Sequence, residues 1–186
     1  KHLIRFFPSD ELFCFLPLCH IYERTTSGLN PIVNKTTVNF AENIETVFEN
    51  LQEVSPMYFA GVPRIYEKIH SNFNLALSDA TNFSQWAYSL ALKVAVKKVQ
   101  HQLESRSVPV IINLLHKIAD YLIFKNLRRM IGFDRITKAV TGAAPISPEL
   151  LEWYLAIGIP IVEGYGMTET TALMTVNTPN DNRVGT

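Results

Sequence analysis

Cysteine is almost missing from this chain: Cys14 and Cys19 are the only two. Their spacing fits no zinc pattern, and no second pair exists to complete four ligands. Two reduced core thiols in a cytosolic protein are therefore expected. Long apolar runs are missing too, since none approaches the roughly 20 residues that a spanning helix needs. The first ten residues lack the apolar core and small-residue cleavage site of a signal peptide. An excess of one charge is lacking: 17 Lys+Arg balance 17 Asp+Glu. Nothing global therefore points to nucleic acid or to a strongly acidic partner. No Gly-rich Ser/Thr/Lys phosphate loop, internal repeat or low-complexity tract occurs. Apolar residues make up 47% of the chain, enough for a sizeable core. The 186 residues predict one domain, or part of a larger one.

Apolar runs and their punctuation set the order of elements. Leu12 to Leu16 is a continuous apolar run of strand length, closed by Pro17. A helix is predicted from Tyr22, ending near Gly28 and Pro31. Thr36 to Phe40 and Met57 to Val62 read as strands. Between them Ile44, Val47, Phe48 and Leu51 share one helical face. Pro63 opens another helix. Ser84 to Glu104 and Val110 to Ile131 read as two long helices, the second carrying Leu114, Leu115, Ile118 and Leu122 and a basic end. Ile136 to Val140 is a strand, Glu149 to Ile157 a helix, and Ile159 to Val162 a strand. This alternation predicts an α/β fold: a mostly parallel sheet flanked by helices, with a helical hairpin inserted at 80–133. Lys93, Lys97, Lys98 and His101 lie on one side of the hairpin, and Lys125, Arg128 and Arg129 close it. A solvated face and a complemented helix dipole account for them. The sharper reading is contact with an anionic membrane surface.

The chemistry concentrates between Pro160 and Thr171. A short strand breaks into Gly164, Tyr165 and Gly166, followed by Met167, Thr168, Glu169, Thr170 and Thr171. The glycines permit close backbone approach. Tyr165 offers a ring for stacking, the threonines offer hydroxyls, and Glu169 offers a hard oxygen for magnesium beside phosphates. Such a set at a parallel strand's carboxyl end suits a nucleotide. A dinucleotide fingerprint is excluded, because Glu169 stands where the third glycine should be. A second turn, Thr141-Gly-Ala-Ala-Pro-Ile-Ser-Pro148, again puts small residues between a strand and a helix, with Ser147 as cap and Pro148 at the first helical position.

Gly-Tyr-Gly-Met-Thr-Glu-Thr, residues 164–170, resembles a hallmark motif of the adenylate-forming superfamily. The resemblance implies that Tyr165 stacks on adenine within Gly164 to Met167, that Thr168 contacts phosphate and that Glu169 holds magnesium. Three further stretches match in the family's order. Leu-Pro-Leu-Cys-His-Ile-Tyr-Glu-Arg, 16–24, is similar to the long-chain fatty acyl-CoA synthetase branch, which places His20 beside the carboxylate-activation site. Read from residues alone, His20 is equally a structural partner. Gly-Val-Pro-Arg-Ile-Tyr-Glu-Lys-Ile, 61–69, resembles the gate segment of that branch, with Tyr66 as the gate to the acyl tunnel. Read as packing, Tyr66 belongs to a stripe with Ile65 and Ile69 on the sheet, and both readings can hold. The 141–148 turn resembles the segment whose backbone lies against adenine, which assigns Gly142, Ala143 and Ala144 to the pocket. Asp181 to Thr186 resembles the start of the family's Arg-x-Gly turn.

The resemblance implies residues 1–186 of an AMP-forming long-chain fatty acid–CoA ligase, inside its large N-terminal domain. ATP, Mg2+ and coenzyme A would be its cofactors and co-substrates, and a fatty acid its substrate. This part alone is expected not to turn over. A non-catalytic module that binds nucleotide or partner, and a bare structural piece, remain the other readings. Unpaired strand edges predict self-association. The expected location is cytoplasmic, with peripheral contact at a membrane's inner face as the sharper form.

Overall fold

The computed structural model describes residues 5–104 and 106–178. The turn expected at 181–186 lies outside the described residues. Six strands form one sheet: β1 (Glu11–Cys14), β2 (Thr37–Phe40), β3 (Tyr58–Gly61), β4 (Lys138–Gly142), β5 (Ile161–Tyr165) and β6 (Thr175–Val176). Their order is β2-β1-β3-β4-β5-β6, parallel throughout except for the antiparallel β5–β6 pair. The mostly parallel α/β sheet is as the sequence predicts. Its antiparallel edge is not, because β6 is two residues long and carries no alternation to read.

Parallel strands need crossovers, and helices supply them. After β1 a continuous helical run comprises α1 (Ile21–Glu23), a π-helical stretch Arg24–Leu29 and α2 (Asn30–Asn34). Gly28 and Pro31 do not end it as expected. The wide turn donates Asn30 N–H to Thr25 O and ends at Leu29, just ahead of Pro31, which has no N–H to continue it. Next come α3 (Val47–Val54) and α4 (Pro63–Ser78). Of the face expected from Ile44, Val47, Phe48 and Leu51, Ile44 falls outside the helix. Asn43 Oδ1 accepts from Glu45 N–H at 2.8 Å and Thr46 N–H at 2.9 Å, which holds a turn instead.

The hairpin is α5 (Asn82–Leu103), then α6 (Val110–Ala119), a π stretch Asp120–Phe124 and α7 (Lys125–Met130). Here the structure decides which face is buried. Leu114, Leu115, Ile118 and Leu122 face outward, while His116, Ala119, Phe124 and Leu127 are buried. A hydrogen bond from His116 Nε2–H to Ala156 O at 3.3 Å, and one from the Lys98 ammonium to His116 Nδ1 at 3.2 Å, fix that rotation. Lys98 and Arg128 therefore leave the exposed basic faces. Arg128 is tied to Asp120 at 2.6 Å and to Ile157 O at 2.6 Å.

The last helix, α8 (Pro148–Ala156), starts as expected: Ser147 Oγ accepts from Leu150 N–H at 3.2 Å, with Pro148 next. One face of the sheet packs Phe13, Phe59, Ala139 and Ile161 under the helices. The other carries Leu12, Tyr58, Ala60, Val140 and Val162. Cys14 is buried, and burial pushes its thiol up to about 11. Cys19 is exposed rather than a core thiol, because β1 stops at Cys14 and leaves it on the following loop.

His116 and His70 both titrate below the ordinary histidine range, chiefly because burial disfavours the charged ring. The folded chain then binds fewer protons than the unfolded chain below the ordinary histidine pKa, so stability falls as pH falls. Thermal melts from about pH 7.5 to about pH 5.5 should show a falling Tm that His116→Gln flattens. An equal fall in both proteins would refute the assignment to His116.

Candidate active site

Every parallel strand ends at the same edge, so the loops after β1, β3, β4 and β5 gather there. Gly142, the last residue of β4, is the register partner of Gly164 in β5. A Cβ on Gly142 would stand 2.7 Å from Gly164 O, so close strand approach demands glycine. β5 continues through Gly164 and Tyr165, past the expected end at Val162, because β6 pairs there: Gly164 lies opposite Val176, and Tyr165 opposite Thr175.

The turn after β4 is strained. Ala143 has φ +68°, a left-handed conformation that disfavours residues with a Cβ. Ala143 and Ala144 are exposed. The loop after β5 is tied to itself. Met174 N–H donates to Tyr165 O at 2.9 Å, and Ala172 N–H to Met167 O at 3.1 Å. Residues Thr168–Thr170 form a 3-10 turn. Thr170 Oγ1 donates to Met167 O at 3.1 Å, so this hydroxyl supports the loop and is not free for a ligand. Gly166 is required absolutely, since an added Cβ would lie 1.4 Å from Ala172 O.

The tied loop leaves Tyr165, Met167, Thr168 and Glu169 outward. Tyr165 is 60% exposed, and Thr168 and Glu169 are exposed. Its ring thus has a face open for stacking. Among the described residues no group of three or more His, Cys, Asp or Glu is arranged to hold a metal. A magnesium held by one carboxylate together with substrate phosphates asks for no such cluster, and the exposed Glu169 fits that arrangement.

His20 sits on the loop after β1, two strands away from β4 in the sheet order. Its Nδ1 accepts from Tyr22 N–H at 3.2 Å and caps α1. In the neutral ring this puts the proton on Nε2, and the residue is exposed. Tyr66 is elsewhere, fully buried beneath the sheet. Its hydroxyl donates to Val140 O at 3.1 Å, and the Tyr154 hydroxyl donates to Tyr66 O at 2.7 Å. Burial holds both phenols well above the usual range, so both stay protonated donors. Beside this pair, between α4 and α8, lies a cleft of about 340 Å³ lined by Glu67, His70, Ser147, Glu149, Leu150 and Trp153. The structure thus brings Gly142, Ala143, Gly164 and Tyr165 together, keeps His20 on the same edge, and puts Tyr66 in the packing.

Thr141 was not legible as a site residue. It is 1% exposed, and its Oγ1 has no hydrogen-bond partner among the described residues. An orphan buried hydroxyl one residue before the turn calls for an explanation. The only sequence signal is a hydroxyl at the end of an apolar strand.

The model of the AMP-binding enzyme family matches residues 1–186. The chain belongs to the AMP-binding enzyme family. Among its relatives, the putative fatty-acid–CoA ligase fadD11 of Mycobacterium tuberculosis is 33% identical over 184 residues, which cover 98% of this chain and 32% of the relative. The long-chain-fatty-acid–CoA ligase ACSBG2 of Gallus gallus is 34% identical over 172 residues, covering 89% and 22%. The chain therefore spans about a third or less of the curated relatives it matches. In fold it is similar to the anthranilate CoA ligase AuaEII, solved in complex with anthranoyl-AMP. That likeness has a TM-score of 0.54 at 18% identity and covers 96% of this chain and 25% of the other.

Two substitutions test the loop geometry. Ala143→Gly should raise stability by about 1 kcal/mol or less, since relief of the left-handed strain exceeds the added chain entropy. Gly166→Ala should lower stability by about 2 kcal/mol or more, because backbone must move. Urea midpoints measure both, and a neutral Gly166→Ala would contradict the observed loop.

Proposed function

We propose that this chain carries the adenylate pocket of a long-chain fatty acid–CoA ligase. The single observation behind this is the paired edge where Gly142 and Ala143 flank Gly164 and the exposed Tyr165. In this reading the purine lies between the strained 142–144 backbone and the Tyr165 ring. Gly164, Gly166 and Met167 shape the floor, and Thr168 donates to phosphate. Bound magnesium would be held by Glu169 and would supply charge neutralisation on the phosphates.

The proposed reaction has two stages, and relatives named fatty-acid–CoA ligases support its class. A fatty acid carboxylate attacks the α-phosphate of ATP, giving acyl-adenylate and pyrophosphate. The thiol of coenzyme A then takes the acyl group and releases AMP. His20 is proposed to border the carboxylate, on the strength of its place at the same edge and a donor Nε2–H. Residues 1–186 are taken as part of the AMP-binding N-terminal domain, with 80–133 as its insertion. Tyr66 is proposed as the gate on the strength of the motif it stands in; its ring bonds β4 and its backbone carbonyl accepts from α8, next to Glu67 of the α4–α8 cleft. A cytoplasmic location with peripheral membrane contact suits a ligase whose acids partition into lipid. The edge strand β2, which among the described residues pairs with β1 alone, is the proposed place for self-association.

A second reading is a nucleotide-binding module without turnover. Calorimetry with AMP and with a non-hydrolysable acyl-adenylate mimic tests the pocket common to both. The wild-type chain should bind, and Tyr165→Ala should weaken binding about tenfold or more, the usual worth of a base stacked on an aromatic ring. Equal binding by the two proteins, or no heat from either, would overturn the proposal.

A further inference from the structure

The outer face of the hairpin has its polarity the wrong way round for a solvated helix. Val110 is 84% exposed, Ile111 64%, Leu114 54%, Ile118 48%, Tyr121 73% and Leu122 61%. Val110, Leu114, Ile118 and Leu122 recur every fourth residue, so they form one stripe, which the π stretch carries on toward α7. The opposite side turns His116 inward. A continuous exposed stripe of branched residues marks a surface that meets something apolar.

Charge says what that surface is. The whole chain is neutral, yet residues 80–130 hold eight of its Lys and Arg against two acids, Glu104 and Asp120. Both acids are already engaged, Glu104 by Arg106 at 3.0 Å and Asp120 by Arg128 at 2.6 Å. Lys117 flanks the stripe, and Lys125 and Arg129 follow it; all three are exposed. Among the described residues no helix is long and apolar enough to cross a membrane. An aliphatic stripe with basic flanks is the pattern that suits the interface plane. Two copies joined stripe to stripe would bring like charges together, which disfavours a dimer here.

We infer that the α6–α7 helix docks on an anionic bilayer surface, its aliphatic stripe among the acyl chains and Lys117, Lys125 and Arg129 on lipid phosphates. The inference rests on the proposed use of a lipid-soluble acid, and it gives the membrane contact a defined face.

Flotation tests it with vesicles of phosphatidylcholine alone and with roughly one third phosphatidylglycerol, a strongly anionic surface. The full chain should float with the anionic vesicles and come off as salt rises. Ile111→Ser combined with Ile118→Ser should abolish flotation at every salt concentration. Lys117→Gln combined with Lys125→Gln should lower anionic partitioning about tenfold. All four positions are exposed, and unchanged circular dichroism melts confirm that both variants fold. Binding of the acyl-adenylate mimic should be unaltered in both, which separates failure here from failure of the nucleotide pocket. Equal flotation on neutral and anionic vesicles, or flotation that survives the serine pair, would overturn the inference. So would a lipid-free dimer in sedimentation velocity that the serine pair dissolves, because the stripe would then belong to a second copy.

Discussion

The parallel pairing of β4 with β5 is the constraint on which the candidate site depends. It sets Gly142 against Gly164, so the turn after one strand and the loop after the other open at the same edge. Neither strand could approach so closely with a side chain at Gly142. The pair is held from beneath by donors that leave little freedom. Tyr66 bonds the backbone of β4, Tyr154 of α8 bonds the backbone of α4, and Trp153 Nε1–H donates to Tyr88 Oη in α5 at 2.6 Å. Buried hydrogen bonds of this kind are costly to leave unmade, so the layer resists sliding. A site built on such a layer keeps its loops in register with each other.

The helical layer obeys a different balance. His116, Lys98, Asp120 and Arg128 sit where aliphatic residues would ordinarily be, each with a partner. The aliphatic residues of α6 are displaced to the outside. The two facts have one origin, because a helix whose polar side is bonded inward must present its other side outward. The hairpin is thus polarised twice: apolar against its surroundings, and basic within a chain that is neutral overall.

Much of this was legible from the order of residues. Four of the six strands have both ends within two residues of the runs read from sequence, helped by Pro17 and the small residues at 142–144 that follow β1 and β4. Ser147 and Pro148 announced the start of α8 through cap chemistry alone. The site loop was legible because Gly164, Tyr165, Gly166 and Glu169 combine backbone freedom with a ring and a carboxylate at fixed spacing. What was not legible depends on contacts far apart in the chain. The rotation of α6 follows from the bond between His116 and Ala156, forty residues later. The length of β5 follows from a two-residue partner strand. The left-handed Ala143, and the engaged hydroxyl of Thr170, follow from folded loops rather than from residue type. Cys19 read as a core thiol from the usual burial of reduced cysteines, although it already lay beyond Pro17.

Photoaffinity labelling with 8-azido-adenosine monophosphate tests the central claim most directly. Light-driven adducts mapped by peptide mass spectrometry should fall on residues 142–144 or on Tyr165, and excess AMP should suppress them. Adducts confined to other parts of the chain, or adducts that AMP fails to compete away, would contradict a purine site at the β4–β5 edge.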